Sequence, residues 1–376
     1  MNPEHLYVHV PFCVRRCSYC DFAVTATNAA PSGDWLDAIG REMAQRSAIE
    51  AWTLPLHLAT VYVGGGTPSI LGPDVMRRLR ERIEEYAVLD ADVEWTVEAN
   101  PESFSGSLAR DWSDAGVNRV SLGVQSFHEP SLRWMGRLHG ADGPARAIAA
   151  ARRAGLDNIS IDLIFGLPSR LGRDWAADLD RAVALAPEHV SLYGLTAEAG
   201  TPLGRWVGAG RERLADEEGY AAEYRLAAER LEGAGFRHYE VSNFALSGRE
   251  SLHNQAYWRH AAYVGLGPGS HSFAPPVRSW NVRDWAEYRS RLEAGDPVEA
   301  GREVLGDAET GLEAIWLGLR SDDGLDGTSL SPAQRARVEV WEGSGWASER
   351  DGRVRLTRDG WLLLDRLAVE LEAGRG

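Results

Sequence analysis

The chain has 376 residues, of which 44% are hydrophobic, and this is enough to bury one large core or two smaller ones. Its formal net charge of −15 argues against non-specific binding to nucleic acid or anionic lipid, because both require clustered Lys and Arg. No apolar run approaches the roughly 20 residues that span a bilayer, and the first residues do not resemble a signal peptide. We therefore expect a cytoplasmic globular protein whose partners are small molecules or other proteins.

Up to about residue 200, short β-rich runs alternate with amphipathic stretches of helical length. This alternation predicts an α/β fold in which crossover helices join parallel strands, and six such units predict a partial (β/α)6 TIM-like barrel. The expected strands are Leu6–Val10, Ala59–Val63, Trp95–Glu98, Arg119–Gln125, Ile159–Phe165 and His189–Leu195. The expected helices are Asp34–Ser47, Pro73–Tyr86, Ser107–Ala115, Pro144–Ala154 and Arg173–Leu185.

The pattern changes after the sixth unit. A helix is expected at Asp216–Leu231, and the polar, Gly-containing strings that follow it, HYEVSNFA, HNQAYW and GLGPGSHSF, suggest loops packed on the barrel. Further on, helical ETGLEAIWLGLR, strand-like RVRLT and a terminal helix from Gly360 predict a small α+β module. The predicted domains are a core barrel over 1–235, a barrel-packed segment over 236–300 and a C-terminal module over 301–376.

Residues that can carry chemistry follow the predicted strands one after another. The cysteines come after the first strand and GGGTP after the second, Glu98 and Gln125 end the third and fourth, and Asp162 lies within the fifth. Loops at the C-terminal ends of parallel barrel strands build one face of the barrel. The sequence therefore predicts a single shared pocket at this face.

Cys13, Cys17 and Cys20 are the only cysteines of the chain and lie in one short window, which excludes a disulfide framework. Soft thiolates select zinc, copper(I) or iron–sulfur clusters, and zinc stays open because a distant His could complete a four-ligand site. A [4Fe–4S] cluster ordinarily takes four thiolates, so three leave one iron for an outside ligand. Such an iron can bind S-adenosylmethionine (SAM) and transfer one electron to its sulfonium, which releases a 5′-deoxyadenosyl radical.

The spacing C-x3-C-x2-C, with Tyr19 before the last cysteine, resembles the signature of the radical SAM superfamily. The strings YVHVPFCVRRCSYCDF, GGGTPS, EANPES, SLGVQSF, DLIFGLP and HNQAYW resemble its oxygen-independent coproporphyrinogen III oxidase-like group, and within that group the HemW-like branch of heme chaperones. The C-terminal module is also similar to that of the group, the HemN-like module. The resemblance implies a radical SAM barrel, a [4Fe–4S] cluster on the three cysteines, and SAM and heme as further ligands.

The resemblance also implies which residues contact SAM. They are Tyr7, Tyr19, Gly65, Gly66, Thr67, Glu98, Gln125, Arg137 and Asp162. Other interpretations stay open, because the glycines can form only a tight turn, Glu98 can be a surface or capping acid, and Arg137 can be solvated. Asp162 lies in an apolar strand, where a buried carboxylate is costly unless a polar partner such as a ligand compensates it.

Two features separate this chain from the oxidase pattern. Where that pattern has a further cysteine, two residues after the third ligand, this chain has Phe22, which argues against oxidase activity. HNQAYW matches the HN-x-x-YW string of the HemW-like branch, which implies that His253 is an axial ligand of heme iron. A His beside aromatic residues is also often a hydrogen-bonded core residue, and His238 and His271 compete for the same role.

Three functions are compatible with these observations. The leading hypothesis is a heme chaperone with a SAM-ligated cluster that hands heme to respiratory hemoproteins. The alternative is a radical SAM enzyme that acts on a porphyrinogen, as the oxygen-independent oxidase does. The third is a structural zinc protein whose barrel binds some other ligand.

Overall fold

The computed structural model describes residues 2–50 and 52–374. Six parallel strands, each paired with the next in chain order, form the centre of a larger sheet and make a partial (β/α)6 barrel. The strands are β1 His5–Val10, β2 Leu56–Gly65, β3 Ala87–Ala99, β4 Arg119–Gln125, β5 Ile159–Phe165 and β6 His189–Gly194. The helices that join them are α1 Ser32–Ile49, α2 Val75–Glu84, α3 Gly106–Ala115, α4 Glu129–Met135, α5 Gly143–Arg153 and α6 Trp175–Ala184.

All predicted barrel strands and helices are confirmed, with two differences. Strand β3 begins at Ala87 rather than Trp95, because Ala87 and Leu89 pair with Leu56 and Leu58, although Asp90 and Asp92 interrupt the apolar pattern of this stretch. The short helix α4 is not predicted by the sequence pattern. In both places, contacts with neighbouring strands or loops decide the secondary structure, and the local apolar pattern does not predict it.

The central strands β4 and β5 are almost wholly buried, because helices cover the outer face of the sheet and its other face lines the barrel interior. Every residue of β4 is buried except Gln125, and every residue of β5 is buried except Asp162. Both exceptions are among the residues that the sequence predicts for the pocket. The core therefore leaves these two polar side chains at the edge of a space rather than inside the packing.

The segment after residue 235 continues the sheet, so the prediction of loops packed on the barrel was wrong. Its strands are β7 Arg237–Glu240, β8 Asn243–Ala245, β9 Tyr263–Leu266, β10 His271–Ala274, β11 Val277–Asn281 and β12 Glu299–Val304. Strands β8 and β7 extend the sheet antiparallel beyond β6, while β9 pairs parallel with β1 and carries β10, β11 and β12. These strands are only three to six residues long, and the barrel edges supply the pairing partners of β8 and β9, which no local pattern reveals.

The helices of this second half are α7 Pro202–Gly208, α8 Glu217–Gly233, α9 Leu252–Trp258, α10 Trp285–Ala294, α11 Asp307–Arg320, α12 Pro332–Gly343, α13 Arg358–Trp361 and α14 Leu364–Glu372. A separate three-stranded sheet joins the last four helices and consists of β13 Leu325–Asp326, β14 Ala347–Arg350 and β15 Arg353–Leu356. The expected terminal helix is thus two helices, α13 and α14. The domain boundaries at 235 and 300 stay a prediction. Among the residues described, we find no helix long and apolar enough to cross a membrane.

Candidate cluster and cofactor site

A cavity of about 280 Å³ lies at the C-terminal ends of the parallel strands. The cysteine loop, the glycine run after β2 and the ends of β3 to β6 surround it. The predicted site residues that line it are Cys13, Cys17, Tyr19, Cys20, Gly65, Gly66, Thr67, Glu98, Gln125, Arg137 and Asp162. Tyr7 and His253 are not among its lining residues. Residues that lie far apart in the chain are therefore gathered around one space.

The cysteine loop is fixed at both of its ends. Phe12 and Cys13 pair in parallel with Thr25 and Ala26, and the Thr27 amide donates to the Cys13 carbonyl at 2.8 Å. The amide of Thr67 donates to the Phe12 carbonyl at 2.8 Å, which ties the loop to the end of β2. The residues between these anchors are exposed or half-buried. A rigid base thus carries a loop whose tip faces the cavity.

The environment of the thiols is suited to a metal cluster. Thr67 Oγ1 donates to Cys13 Sγ at 3.3 Å, and Arg137 Nη1 lies 3.9 Å from Cys17 Sγ. Burial raises the pKa of the Cys13 thiol to about 11, against the opposing effect of the Thr67 hydrogen bond, and burial also raises the pKa of Cys20. These thiols are therefore protonated until a metal binds, because ligation requires the thiolate.

Within the described part of the chain, no three Cys, His, Asp or Glu side chains stand close enough together to hold a metal ion as they are. The three sulfurs must turn toward one another to bind a cluster. Soft sulfur donors that border one cavity, with a hydroxyl and a guanidinium as hydrogen-bond donors, fit an iron–sulfur cluster and do not fit a hard cation.

Arg137 lies in the wall of the cavity, where hydrogen bonds to other residues hold it, so it is not a solvated side chain. Its Nη2 donates to Asn100 Oδ1 and to the carbonyl of Gly123. It follows helix α4, which ends at Gly136 in the left-handed conformation (φ 82°). Asn100, which the sequence reasoning did not single out, lies in the quoted string EANPES and orients both Arg137 and Thr67. A fixed cation at this wall favours any carboxylate that enters the cavity.

Glu98 accepts two hydrogen bonds at the end of β3, one from the Gly65 amide at 3.0 Å and one from the Tyr62 hydroxyl at 2.8 Å. Burial raises its pKa to about 7, and the nearby Asp162 adds to the rise. The carboxylate thus has a structural partner in the glycine run and still lines the cavity. It can accept a hydrogen bond from a ligand ammonium or hydroxyl.

The glycine run is explained by close packing. A Cβ at Gly64 would lie 2.7 Å from Glu98 Cδ, and one at Gly66 would lie 2.5 Å from the Phe12 carbonyl oxygen. Gly65 has φ 105°, which favours glycine, and a Cβ there would meet the His9 ring at 2.3 Å. The run therefore lets the cysteine loop and Glu98 approach the end of β2, in addition to lining the cavity.

Asp162 and Gln125 lie on neighbouring strands at the far wall. Asp162 accepts a hydrogen bond from Ser121 at 3.2 Å, and burial raises its pKa to about 6 against the hydrogen bonds of Ser191 and Ser121. Gln125 ends β4 with φ 66°, a left-handed backbone that is uncommon outside glycine. Both side chains are half-buried and border the cavity, where a polar ligand can compensate Asp162.

The two tyrosines differ in position. Tyr19 lines the cavity and packs against the apolar cluster that includes Leu132 and Met135. Tyr7 lies behind the wall, where its hydroxyl is 3.0 Å from His9 Nδ1 and its ring stacks on Tyr62 with centroids 6.1 Å apart. Its influence on a bound ligand therefore passes through His9 or Tyr62.

His253 is fully buried on helix α9, away from the cavity. Its Nδ1 is 2.7 Å from Thr60 Oγ1 and its Nε2 is 2.8 Å from the Tyr257 hydroxyl. Burial lowers its pKa to about 3, so the ring is neutral. Both ring nitrogens are engaged in this structure, and ligation of heme iron by His253 requires one of these hydrogen bonds to break. That role stays a prediction.

The two competing histidines also have other contacts. His238 is buried and its ring stacks on Phe244 with centroids 3.9 Å apart. His271 is exposed on β10 and stacks on Trp280 with centroids 6.0 Å apart. Neither lines the cavity at the cysteine loop.

Comparison with known proteins identifies the family of this chain. Residues 7–182 match the model of the radical SAM superfamily. The chain is 38% identical to the heme chaperone HemW of Mycobacterium tuberculosis, with 98% of this chain and 95% of that protein aligned. It is 33% identical to the heme chaperone HemW of Bacillus subtilis, over 95% of this chain and 96% of that protein.

A structural likeness extends over the same length. The coproporphyrinogen III oxidase HemN of Escherichia coli, a radical SAM enzyme, superposes with a TM-score of 0.83 over 99% of this chain and 90% of that chain. At 20% identity this shows a common fold. Membership of the radical SAM superfamily implies SAM and an iron–sulfur cluster as ligands, which favours iron over the zinc alternative. With identity of this extent over nearly all of its length and the three-cysteine motif in place, the chain belongs to the HemW family of radical SAM proteins.

Proposed function

We propose that this protein is a cytoplasmic heme chaperone that binds heme, holds a [4Fe–4S] cluster on Cys13, Cys17 and Cys20, and delivers heme to respiratory hemoproteins. The observation that carries the proposal is the sequence identity of 33–38% with heme chaperones, which extends over nearly the whole chain. Two features of the chain support it, the string HNQAYW and the presence of Phe22 where the oxidase pattern has a cysteine.

In this proposal the chain's own residues prepare the cavity for SAM. When bound, the cluster supplies one-electron reduction of SAM. Arg137 offers its guanidinium to a carboxylate, and Glu98 and Asp162 offer acceptors to an ammonium or to ribose hydroxyls. Apolar side chains in the same wall, among them Ile164 and Leu195, lower the local polarity, which strengthens these charged interactions.

The test is a heme titration of anaerobically purified, cluster-loaded protein, followed by incubation with an apo-hemoprotein. We expect a saturable change in the Soret band at a fixed stoichiometry, and loss of that band from this protein as the acceptor gains it. Weak binding that does not saturate contradicts the proposal. Iron, sulfide and zinc analysis of the same sample checks the cluster.

A second candidate, a radical SAM enzyme that acts on a porphyrinogen, is supported by the cavity, which is lined by the three cysteines and by eight of the nine residues predicted to contact SAM. Anaerobic incubation with SAM, a reductant and coproporphyrinogen III separates the two functions. Protoporphyrinogen formed together with 5′-deoxyadenosine would establish the enzyme, whereas the chaperone proposal expects no protoporphyrinogen.

A further inference from the structure

A second cavity, of about 200 Å³, lies at the end of β1 opposite to the cysteine loop. We call it the aromatic pocket. Its lining residues are Tyr257, His260, Tyr263, Phe273, Arg278 and Leu317. Aromatic and aliphatic side chains thus form most of its wall, and its polar groups include one imidazole and one guanidinium.

The aromatic pocket is built by cross-strand pairing. Tyr263 on β9 pairs with Phe273 on β10, which in turn pairs with Arg278 on β11, so the three side chains lie in one row across the sheet. Helix α9 adds Tyr257 and helix α11 adds Leu317. The pocket therefore lies where the extended sheet, the HNQAYW helix and the C-terminal module meet.

His260 follows helix α9 in a left-handed backbone conformation, with φ 56°. Its ring stands edge-on to Phe273 with centroids 5.5 Å apart. Among the residues that the structure describes, Nε2 has no hydrogen-bond partner, although Glu313 Oε2 lies 3.6 Å away. Burial lowers the pKa of His260, against the effect of Glu313, so the ring is neutral and keeps a lone pair.

We propose that the aromatic pocket is the heme site and that His260 Nε2 is an axial ligand of the iron. This inference rests on the proposed function, because it identifies where the chaperone holds its cargo. Aromatic walls suit a flat apolar macrocycle, and neutral imidazole is an ordinary axial ligand. The Arg278 guanidinium can pair with the carboxylate of a heme propionate.

The charged groups around the pocket allow a heme propionate to replace a contact that Arg278 now makes. Arg278 Nη2 now donates to Glu313 Oε2 at 2.8 Å, the carboxylate that also lies beside His260 Nε2. A propionate that binds Arg278 competes with Glu313 and so releases the side chain that covers the imidazole nitrogen. The pocket is too small to enclose a whole heme, so part of the macrocycle stays outside it.

The same geometry gives His253 a positioning role. Its Nε2 holds the hydroxyl of Tyr257, and the Tyr257 ring is a wall of the aromatic pocket. Glu94 in turn fixes the start of α9 by accepting from the amides of Leu252 and His253 at 3.1 and 3.0 Å. The HNQAYW helix thus supports the pocket from behind, and the ligand follows two residues after the string.

The experiment is a hemin titration of the cluster-loaded protein with three variants, His260→Ala, His253→Ala and the control His57→Ala, whose side chain is 70% exposed. We expect His260→Ala to shift the Soret band and to weaken heme affinity by about 10–100-fold. Added imidazole should restore the wild-type spectrum of this variant, which a merely structural role would not predict. His57→Ala should behave as wild type.

His253→Ala is expected to keep the wild-type Soret position with a smaller loss of affinity. A shifted Soret band in His253→Ala, with an unchanged band in His260→Ala, overturns the inference and identifies His253, in the string HNQAYW, as the ligand. Unchanged spectra in both variants, with stoichiometric binding retained, overturn the site but leave the proposed function standing. If wild-type protein fails to bind heme stoichiometrically, the proposed function fails, and the inference with it.

Discussion

The cavity at the cysteine loop and the aromatic pocket lie at opposite ends of β1, and they are built in different ways. The three thiols of the first come from eight consecutive residues, and its other groups sit at the ends of regular barrel strands. The second takes its residues from three strands, two helices and the segment after α9, and pairing across the sheet aligns the three strand residues. A site at strand ends can be predicted from the sequence, whereas a site whose residues are aligned only by pairing across the sheet cannot.

The largest expected effect separates the two regions. Cys17→Ala leaves two thiolates, too few to hold a cluster with one open iron, so iron content and absorption at about 400 nm should fall to background. Heme binding should persist, because the aromatic pocket shares no residue with the loop. Ser18→Ala in the same loop is the matched control. Unchanged iron in Cys17→Ala would contradict the cluster assignment.

Gly66→Val tests the packing at the same end of the barrel. A Cβ there would lie 2.5 Å from the Phe12 carbonyl and 2.7 Å from that of Val10, so the strand leading to Cys13 must shift. We expect loss of both SAM binding and most of the cluster, measured by equilibrium dialysis and iron analysis. Gly33→Ala, where a Cβ meets nothing within 4 Å, is the control. A variant that keeps its cluster and loses only SAM would place Gly66 on the ligand side instead.

Glu98→Gln tests the electrostatics of the cavity. Because the folded pKa of about 7 exceeds the usual carboxyl value, the folded protein keeps a proton that the unfolded chain releases. The free energy of unfolding therefore falls as pH rises toward 7 and then levels off, by about 1–3 kcal/mol. Urea unfolding at about pH 5 and about pH 8 should show a smaller fall for the variant. Asp162, with a pKa of about 6, retains the remaining slope.

The same substitution should alter SAM binding. In wild-type protein the affinity for SAM should rise as Glu98 ionises near pH 7, because the ligand ammonium favours the carboxylate. In Glu98→Gln this rise should be lost, with affinity at about pH 8 lower by roughly tenfold, as for loss of one charged hydrogen bond. A pH profile equal to that of wild type would show that Glu98 serves only the glycine run.

His253→Ala tests the helix that supports the aromatic pocket. It removes two buried side-chain hydrogen bonds and a packed ring, so we expect a loss of about 2–4 kcal/mol in the free energy of unfolding. Tyr257→Phe removes one of these bonds alone and should cost about 1 kcal/mol. Denaturant unfolding measures both. A large change in heme spectrum without loss of stability would favour ligation by His253.

The smallest effect is expected at Phe22, which is 57% exposed at the mouth of the cavity. Phe22→Cys restores the residue type of the oxidase pattern at a surface position, so stability should change by no more than about 0.5 kcal/mol. Cluster content should match that of wild type, and coproporphyrinogen III should stay unconverted. Protoporphyrinogen from the variant alone would show that this cysteine separates the two functions.

Much of the barrel could be predicted because its strands are short runs rich in apolar and β-branched residues, and the polar residues Gln125 and Asp162 in two of them mark the pocket. The strands after residue 235 could not, because their partners β1 and β6 lie far away in the chain. The position of Arg137 depends on α4, a seven-residue helix with little periodicity. The buried position of His253 depends on Thr60 and Glu94, which only the sheet brings near it.

The length of β1 has a consequence for how cargo and radical chemistry coexist. Its first residue pairs with Tyr263 at the aromatic pocket and its last with Gly65 at the cysteine loop. Six extended residues separate these points by roughly 16–17 Å, with packed barrel interior between them. A macrocycle held at one end is insulated from any reactive species formed at the other. The same scaffold can thus carry heme intact whether or not SAM is consumed, and either capacity can be lost without the other.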